Sequence, residues 1–153
     1  MNPIFEQHVN EVERLHESLM AMPPATRDNL GVCDFPGVYL FTENGIHLYV
    51  GRTKRPLKVR LMEHARPSVK DAPFAFRLAR EATGKTEVTY EVGNGRRELL
   101  QDEEFLAALN QQKSRIAEMG IRYVKVADHT TQALLEIYTA TVLGTPHNEF
   151  STS

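Results

Sequence analysis

The strongest constraint on the fold of this chain is one turn, Asn44-Gly45, which lies between two short runs of strand-forming residues. Residues 37–42 and 46–51 are rich in valine, isoleucine and aromatic side chains. A tight hairpin turn needs positive φ angles at its central residues, and Asn-Gly adopts these angles readily. The segment therefore predicts an antiparallel β-hairpin.

A helical pattern precedes the hairpin. Over residues 4–20, apolar side chains recur at spacings of three and four, with acids and amides between them: Ile4, Phe5, Val9, Val12, Leu15 and Leu19. This periodicity predicts an amphipathic helix. We expect it to pack against the rest of the protein as part of an N-terminal helical extension, residues 1–34.

A second helix is predicted directly after the hairpin, over residues 56–65. Pro56 stands where a helix can begin without losing a needed N–H group, and Pro67 bounds its end. Within this helix, Arg60 and His64 are four residues apart and therefore share one face.

The C-terminal part of the chain predicts a strand followed by a helix. Ile121 to Ala127 alternates enough to form a strand, and helical spacing resumes at Thr130. Gly144 and then Pro146 are expected to end this last helix.

Residues 66–120 predict a largely helical insertion within a single domain that covers residues 1–153. Its elements are helices over 73–82 and 98–119 and a strand over 86–92. Gly120 is expected to end the long helix in the left-handed conformation.

Composition limits the class of protein. At 153 residues, with 41% hydrophobic and 25% charged residues, the chain can bury a core as one domain. The lone Cys33 excludes an intramolecular disulfide and a cysteine-rich zinc site. No leader-like segment and no apolar run of bilayer length is present. We expect a cytoplasmic protein with no membrane partner.

The net charge of −2 conceals a basic stripe. Residues 52–66 carry six basic side chains against one acid, Glu63. Such a stripe can neutralise several phosphates, although most charge runs are simply solvated surface. The residues of this stripe that we predict to bind nucleic acid are Arg52, Lys54, Arg55 and Lys58.

Several residues around the hairpin suit phosphodiester hydrolysis. Glu136 lies in a helix that otherwise carries apolar residues, and one carboxylate is enough to hold a magnesium ion that keeps its waters. Arg60 offers a fork of donors to phosphate, and His64 can relay a proton near neutral pH. A tyrosine hydroxyl becomes a usable base only where neighbouring cations lower its pKa.

The pattern as a whole resembles the GIY-YIG nuclease superfamily. Gly37-Val38-Tyr39 is followed ten residues later by Tyr49-Val50-Gly51, then by Arg60 and His64, and the chain closes with Glu136 and Pro146-His147-Asn148. The match covers about a third of the chain. Valine replaces isoleucine in both triplets, and the insertion after His64 is longer than the resemblance accounts for.

The resemblance implies an α/β (α+β) fold with a small three-stranded antiparallel sheet flanked by helices. It implies an endonuclease that uses one Mg²⁺ or Mn²⁺ ion and cuts DNA rather than RNA. In this interpretation Tyr39 activates the attacking water, Tyr49 and Arg60 engage the phosphate, and His64 assists proton transfer. Glu136 binds the metal and Asn148 braces the site.

Two other functions stay open at this point. One is a nucleic-acid-binding module that keeps the fold without turnover, and the other is a protein-interaction domain that uses the first helix. A fold by itself does not guarantee its chemistry.

Overall fold

A computed structural model describes residues 1–67, 72–85 and 95–150. They form two compact units, Met1–Leu61 with Met119–Ser153, and Met62–Glu118. The strands are β1 (Gly37–Glu43), β2 (Ile46–Thr53) and β3 (Gly120–Lys125). The helices are α1 (Pro3–Ala21), α2 (Leu57–Ala65), α3 (Pro73–Thr83), α4 (Arg96–Leu99), α5 (Glu103–Ala117) and α6 (His129–Leu143). The predicted α+β class is confirmed.

The sheet is three-stranded and antiparallel in the order β2-β1-β3, so β1 is the central strand. Asn44 and Gly45 have φ angles of 51° and 78°, which confirms the predicted hairpin turn. Tyr39 is paired with Gly51 on one side and with Tyr123 on the other. This register decides which side chains of the hairpin meet.

One face of the sheet is covered by α1 and α6. Val38, Leu40 and Val50 point to this face, because successive strand residues alternate between the two sides. They pack with apolar side chains of the two helices and of the segment that follows β3: Val12, Leu15, Leu19, Val126, Leu135 and Ala140. Tyr39 and Phe41 point to the opposite face.

Helices α1 and α6 run parallel. His8 Nδ1 lies 2.9 Å from Thr131 Oγ1, and His16 Nδ1 lies 2.9 Å from Thr139 Oγ1, with the same sequence offset in both pairs. The predicted packing of the first helix is confirmed. Its first turn is different, since Ile4 is 72% exposed and Phe5 43% exposed. α6 begins only at His129, so the start of α1 extends past it.

Helix α6 agrees closely with its prediction. Asp128 caps its start by accepting a hydrogen bond from the Thr131 amide at 2.8 Å. Gly144 ends it with a φ of 64°, in the left-handed conformation that glycine adopts easily. These local signals fix the length of the helix that carries Glu136.

The second unit, Met62–Glu118, spans nearly the residues of the predicted insertion. α3 and α5 are paired in it, with the Phe76 and Phe105 ring centroids 5.0 Å apart. The prediction of one helix over 98–119 is wrong. The short helix α4 ends at Leu99. Asp102 then caps the start of α5 by accepting a hydrogen bond from the Glu104 amide.

The prediction for Gly120 is also wrong. It is the first residue of β3 and is not among the glycines with positive φ, so the chain passes from α5 into the strand without a left-handed residue. The predicted strand over 86–92 lies outside the described residues. No helix in the described part of the chain combines the length and apolarity needed to cross a bilayer.

Candidate active site

Tyr39 lies in the middle of the central strand and is buried. Its ring lies over the backbone of its cross-strand partner, Gly51, and a Cβ atom at Gly51 would be only 2.3 Å from the Tyr39 Cζ and hydroxyl oxygen. Only glycine fits at position 51, because the Tyr39 ring occupies the space that a side chain would need. Gly37 has a similar requirement, since a Cβ there would be 2.1 Å from the Val124 carbonyl oxygen. The sequence pattern alone did not reveal these contacts.

Three of the other predicted site residues, Tyr49, Arg60 and Glu136, act on this tyrosine. Burial raises the pKa of the Tyr39 phenol well above its usual range, and the neighbouring Tyr49 hydroxyl raises this pKa further. The Arg60 guanidinium opposes the shift, both through its charge and by donating a hydrogen bond to the Tyr39 oxygen. The charge of the Glu136 carboxylate also raises the pKa of Tyr39. Tyr39 is thus a neutral phenol at pH 7, held by an arginine.

Tyr49 belongs to the same cluster. It is opposite Phe41 and therefore lies on the Tyr39 face of the sheet. Burial raises the pKa of Tyr49 to about 12, with the Glu136 carboxylate adding to the rise and Arg60 opposing it. Both hydroxyls are hydrogen-bond donors at neutral pH, and a further cation near them would be needed to favour a phenolate.

Glu136 extends from α6 and is half-buried, with 21% of its side chain exposed. Burial raises the pKa of its carboxyl, and Arg52 on β2 opposes this rise. The Arg52 Nε atom lies 3.7 Å from Glu136 Oε1, and the Arg52 side chain is 37% exposed. The sequence predicts only nucleic-acid binding for Arg52, because residue spacing gives no sign of this pairing between β2 and α6.

Asn148 contacts the edge strand of the sheet. Its Oδ1 atom accepts a hydrogen bond from the Val50 amide at 2.7 Å, and its Nδ2 atom donates one to the Val50 carbonyl at 2.7 Å. The His147 amide donates to the Leu48 carbonyl at 3.2 Å. The C-terminal segment therefore lies along β2, where it contacts Leu48 and Val50.

His64 is on α2, as predicted, four residues after Arg60. It is completely buried, so it does not belong to a solvated helix face. It falls in the second compact unit, whereas Tyr39, Tyr49, Arg60 and Glu136 all belong to the first.

Like Arg52, the other three basic residues predicted to bind nucleic acid are exposed: Lys54, Arg55 and Lys58. They follow β2 and begin α2, close in sequence to Arg52 and Arg60. Their charges are therefore available at the surface next to the end of the hairpin that carries Gly51.

A divalent cation at this site would have few protein ligands, and Glu136 is the candidate. Among the described residues, no three His, Cys, Asp or Glu side chains are grouped as a ligand set. Glu136 is a half-buried carboxylate whose arginine partner lies at 3.7 Å, beyond hydrogen-bond distance. Magnesium commonly uses one or two carboxylates and keeps several waters, so the single carboxylate of Glu136 could be enough to hold it.

Searches against protein-family models, curated proteins and solved structures return no match to this chain.

Proposed function

We propose that this protein is a metal-dependent endonuclease of the GIY-YIG type, which hydrolyses phosphodiester bonds in DNA and acts in the cytoplasm. The observation that supports the proposal is that Arg60 and Glu136 both act electrostatically on the two neighbouring tyrosines, Tyr39 and Tyr49. These residues come from both strands of the hairpin and from α2 and α6. Their sequence order also matches the family pattern.

Each residue then has a role that its surroundings permit. Arg60 grips the scissile phosphate and stabilises the charge that develops on it. Tyr39 orients the attacking water and would accept its proton only as a phenolate, the form that a cation held at Glu136 would favour, while Tyr49 donates to a phosphate oxygen. Asn148 keeps β2 in place. A part for His64 in proton transfer is proposed from the family resemblance alone. The exposed basic side chains that bind the phosphate backbone on either side of the cut are those of Arg52, Lys54, Arg55 and Lys58.

Glu136 is the residue that would hold Mg²⁺ or Mn²⁺. When bound, such an ion neutralises the phosphorane and lowers the pKa of nearby hydroxyl groups. Arg52 then has two functions, since it balances the Glu136 carboxylate in the free protein and contacts phosphate in the complex. The choice of DNA over RNA comes from the family resemblance.

A second candidate is a binding module that has the fold but no turnover. The raised pKa values of Tyr39 and Tyr49 favour it, because neither hydroxyl is a base at neutral pH in the free protein. The proximity of Arg52 to Glu136 also favours the binding module, since the arginine already balances part of the carboxylate charge that a metal ion would otherwise neutralise.

Cleavage assays separate the two candidates. Supercoiled plasmid, branched DNA and single-stranded DNA and RNA would be incubated with the protein in Mg²⁺, Mn²⁺ or EDTA. For the nuclease we expect metal-dependent cutting that falls at least about 10²-fold in Tyr39→Phe and Glu136→Ala. Tyr138→Phe and Glu13→Ala are matched controls outside the cluster and should cut normally. Salt-sensitive binding without cutting would establish the binding module instead.

A further inference from the structure

Gln132 occupies an unusual position in the first turn of α6. Its side chain is completely buried. The Nε2 atom donates one hydrogen bond to the Thr53 carbonyl at 3.0 Å and another to the Val126 carbonyl at 2.7 Å. Thr53 is the last residue of β2, and Val126 directly follows β3. One amide group therefore connects α6 to the ends of both outer strands.

This position requires a side chain with two donors on one atom. A carboxylate of the same size would face two carbonyl oxygens and repel them, and an apolar side chain would leave both carbonyls without this donor. The Gln132 Oε1 atom is itself buried and has no hydrogen-bond partner within the described residues. An unsatisfied buried acceptor costs stability. The amide is thus better explained by the geometry it imposes than by net stabilisation.

The contacts of Gln132 lie next to the Glu136–Arg52 pair. Glu136 is four residues after Gln132 and lies one turn further along the same face of α6. Arg52 directly precedes Thr53 in β2. Two links therefore join α6 to β2, first Gln132 to Thr53 and then Glu136 to Arg52.

We propose that Gln132 is a positioning residue, which holds α6 at the ends of β2 and β3 and so sets where the Glu136 carboxylate lies relative to Arg52 and Tyr39. Its effect on cleavage rests on the proposed nuclease function. Its effect on the Glu136 carboxylate does not, because that is a property of the folded chain.

The test uses Gln132→Met, which keeps the length of the side chain and removes both donors. Thr139→Val is the matched control, since it removes a hydrogen bond of α6 to His16 on α1 and leaves the contacts of α6 with the strand ends in place. Three quantities are measured: thermal stability, the NMR titration of the Glu136 side-chain carboxyl, and the broadening of that signal by Mn²⁺. If Gln132→Met does not fold, Gln132→Asn replaces it, because the shorter amide cannot reach both carbonyls.

We expect the Gln132 variant to move the titration midpoint of Glu136 and to weaken its broadening by Mn²⁺. Thr139→Val should lose stability while leaving both signals unchanged. In cleavage, kcat should fall about tenfold or more with KM within about twofold, because small misplacements of a catalytic group cost this much. A folded variant with the wild-type Glu136 titration would overturn the proposal. A moved titration in a protein that cuts no substrate would uphold the positioning role and reject the nuclease.

Discussion

Asn148 binds the backbone of Val50 through both ends of its side-chain amide, with donor–acceptor distances of 2.7 Å in each direction. β2 is an edge strand, and the amide supplies the hydrogen bonds that a further strand would otherwise make. Thr145 orients this amide by donating from Oγ1 to Asn148 Oδ1 at 2.8 Å. A residue near the C-terminus thereby holds the strand that carries Tyr49 and Gly51.

Asn148→Asp tests this arrangement. Aspartate can still accept from the Val50 amide, but it has no donor for the Val50 carbonyl and would repel it. We expect a loss of about 1–3 kcal/mol in the free energy of unfolding, the usual effect of leaving a buried partner unsatisfied. Asn148→Ala removes both bonds, and in this variant amide exchange at Val50 should accelerate more than exchange at Leu40 in the central strand. Unchanged exchange at Val50 would show that the amide does not secure the edge.

Gly51→Ala should force the Tyr39 ring out of place. The new Cβ atom would lie 2.3 Å from that ring, and overpacking of this kind costs about 1–3 kcal/mol. A double-mutant cycle with Tyr39→Ala isolates the clash, because the alanine substitution at Gly51 should cost much less once the ring is gone. Equal costs in both backgrounds would mean that Tyr39 is not the side chain that excludes a larger residue.

Glu136→Gln should stabilise the protein at neutral pH while abolishing cleavage. Burial raises the pKa of Glu136, so the folded state favours the protonated carboxyl, and ionisation at pH 7 opposes folding. The stability advantage of the glutamine variant should be greatest above the raised pKa. It should shrink as the pH falls and the native carboxyl becomes protonated.

Chemical denaturation of both proteins between pH 4 and pH 8 measures this difference, with the exposed Glu13→Gln as control. A glutamine variant that is less stable than the wild type at pH 7 would show that Arg52 outweighs burial at this site.

His16 makes a second contribution to pH dependence. Burial lowers its pKa from the ordinary value of 6.5, although Glu17 opposes the shift. The folded state therefore favours the neutral imidazole, so its stabilising contribution is present above about pH 6.5 and is lost as the pH falls through the lowered pKa. His16→Gln should remove this part of the acid-induced loss of stability. Chemical denaturation over the same pH range measures this effect, and an unchanged acid-induced loss in the variant would contradict the prediction.

The exposed basic residues should contribute to binding through phosphate contacts alone. Lys54→Ala, Arg55→Ala and Lys58→Ala should each weaken the affinity for duplex DNA, and each should reduce the slope of log K against log salt concentration by about 0.9. The exposed Arg14→Ala on α1 is a charge-matched control and should change neither quantity. Fluorescence anisotropy over a series of salt concentrations measures both. If all three variants kept the wild-type slope of log K against log salt concentration, DNA would have to bind at another surface.

Local features were predictable from the sequence because each depends on residues that are close together in the chain. The Asn44-Gly45 turn, the end of α6 at Gly144 and the bounds of α1 are of this kind. The break between α4 and α5 was missed because the helical spacing continues through it, while Asp102 starts a new helix within that spacing. The prediction for Gly120 was wrong because a glycine after a helix can either end the helix in the left-handed conformation or begin the next strand. Pairing of β3 with β1 decides for the strand.

The sequence by itself determined the hairpin, the α+β class and the set of polar residues that could carry chemistry. Only the tertiary structure decided that Tyr39 lies over Gly51, that Arg52 is the partner of Glu136, and that Gln132 joins α6 to two strands. These contacts connect residues far apart in the chain. They depend on strand register and helix placement, which result from packing of the whole core and leave no local pattern in the sequence.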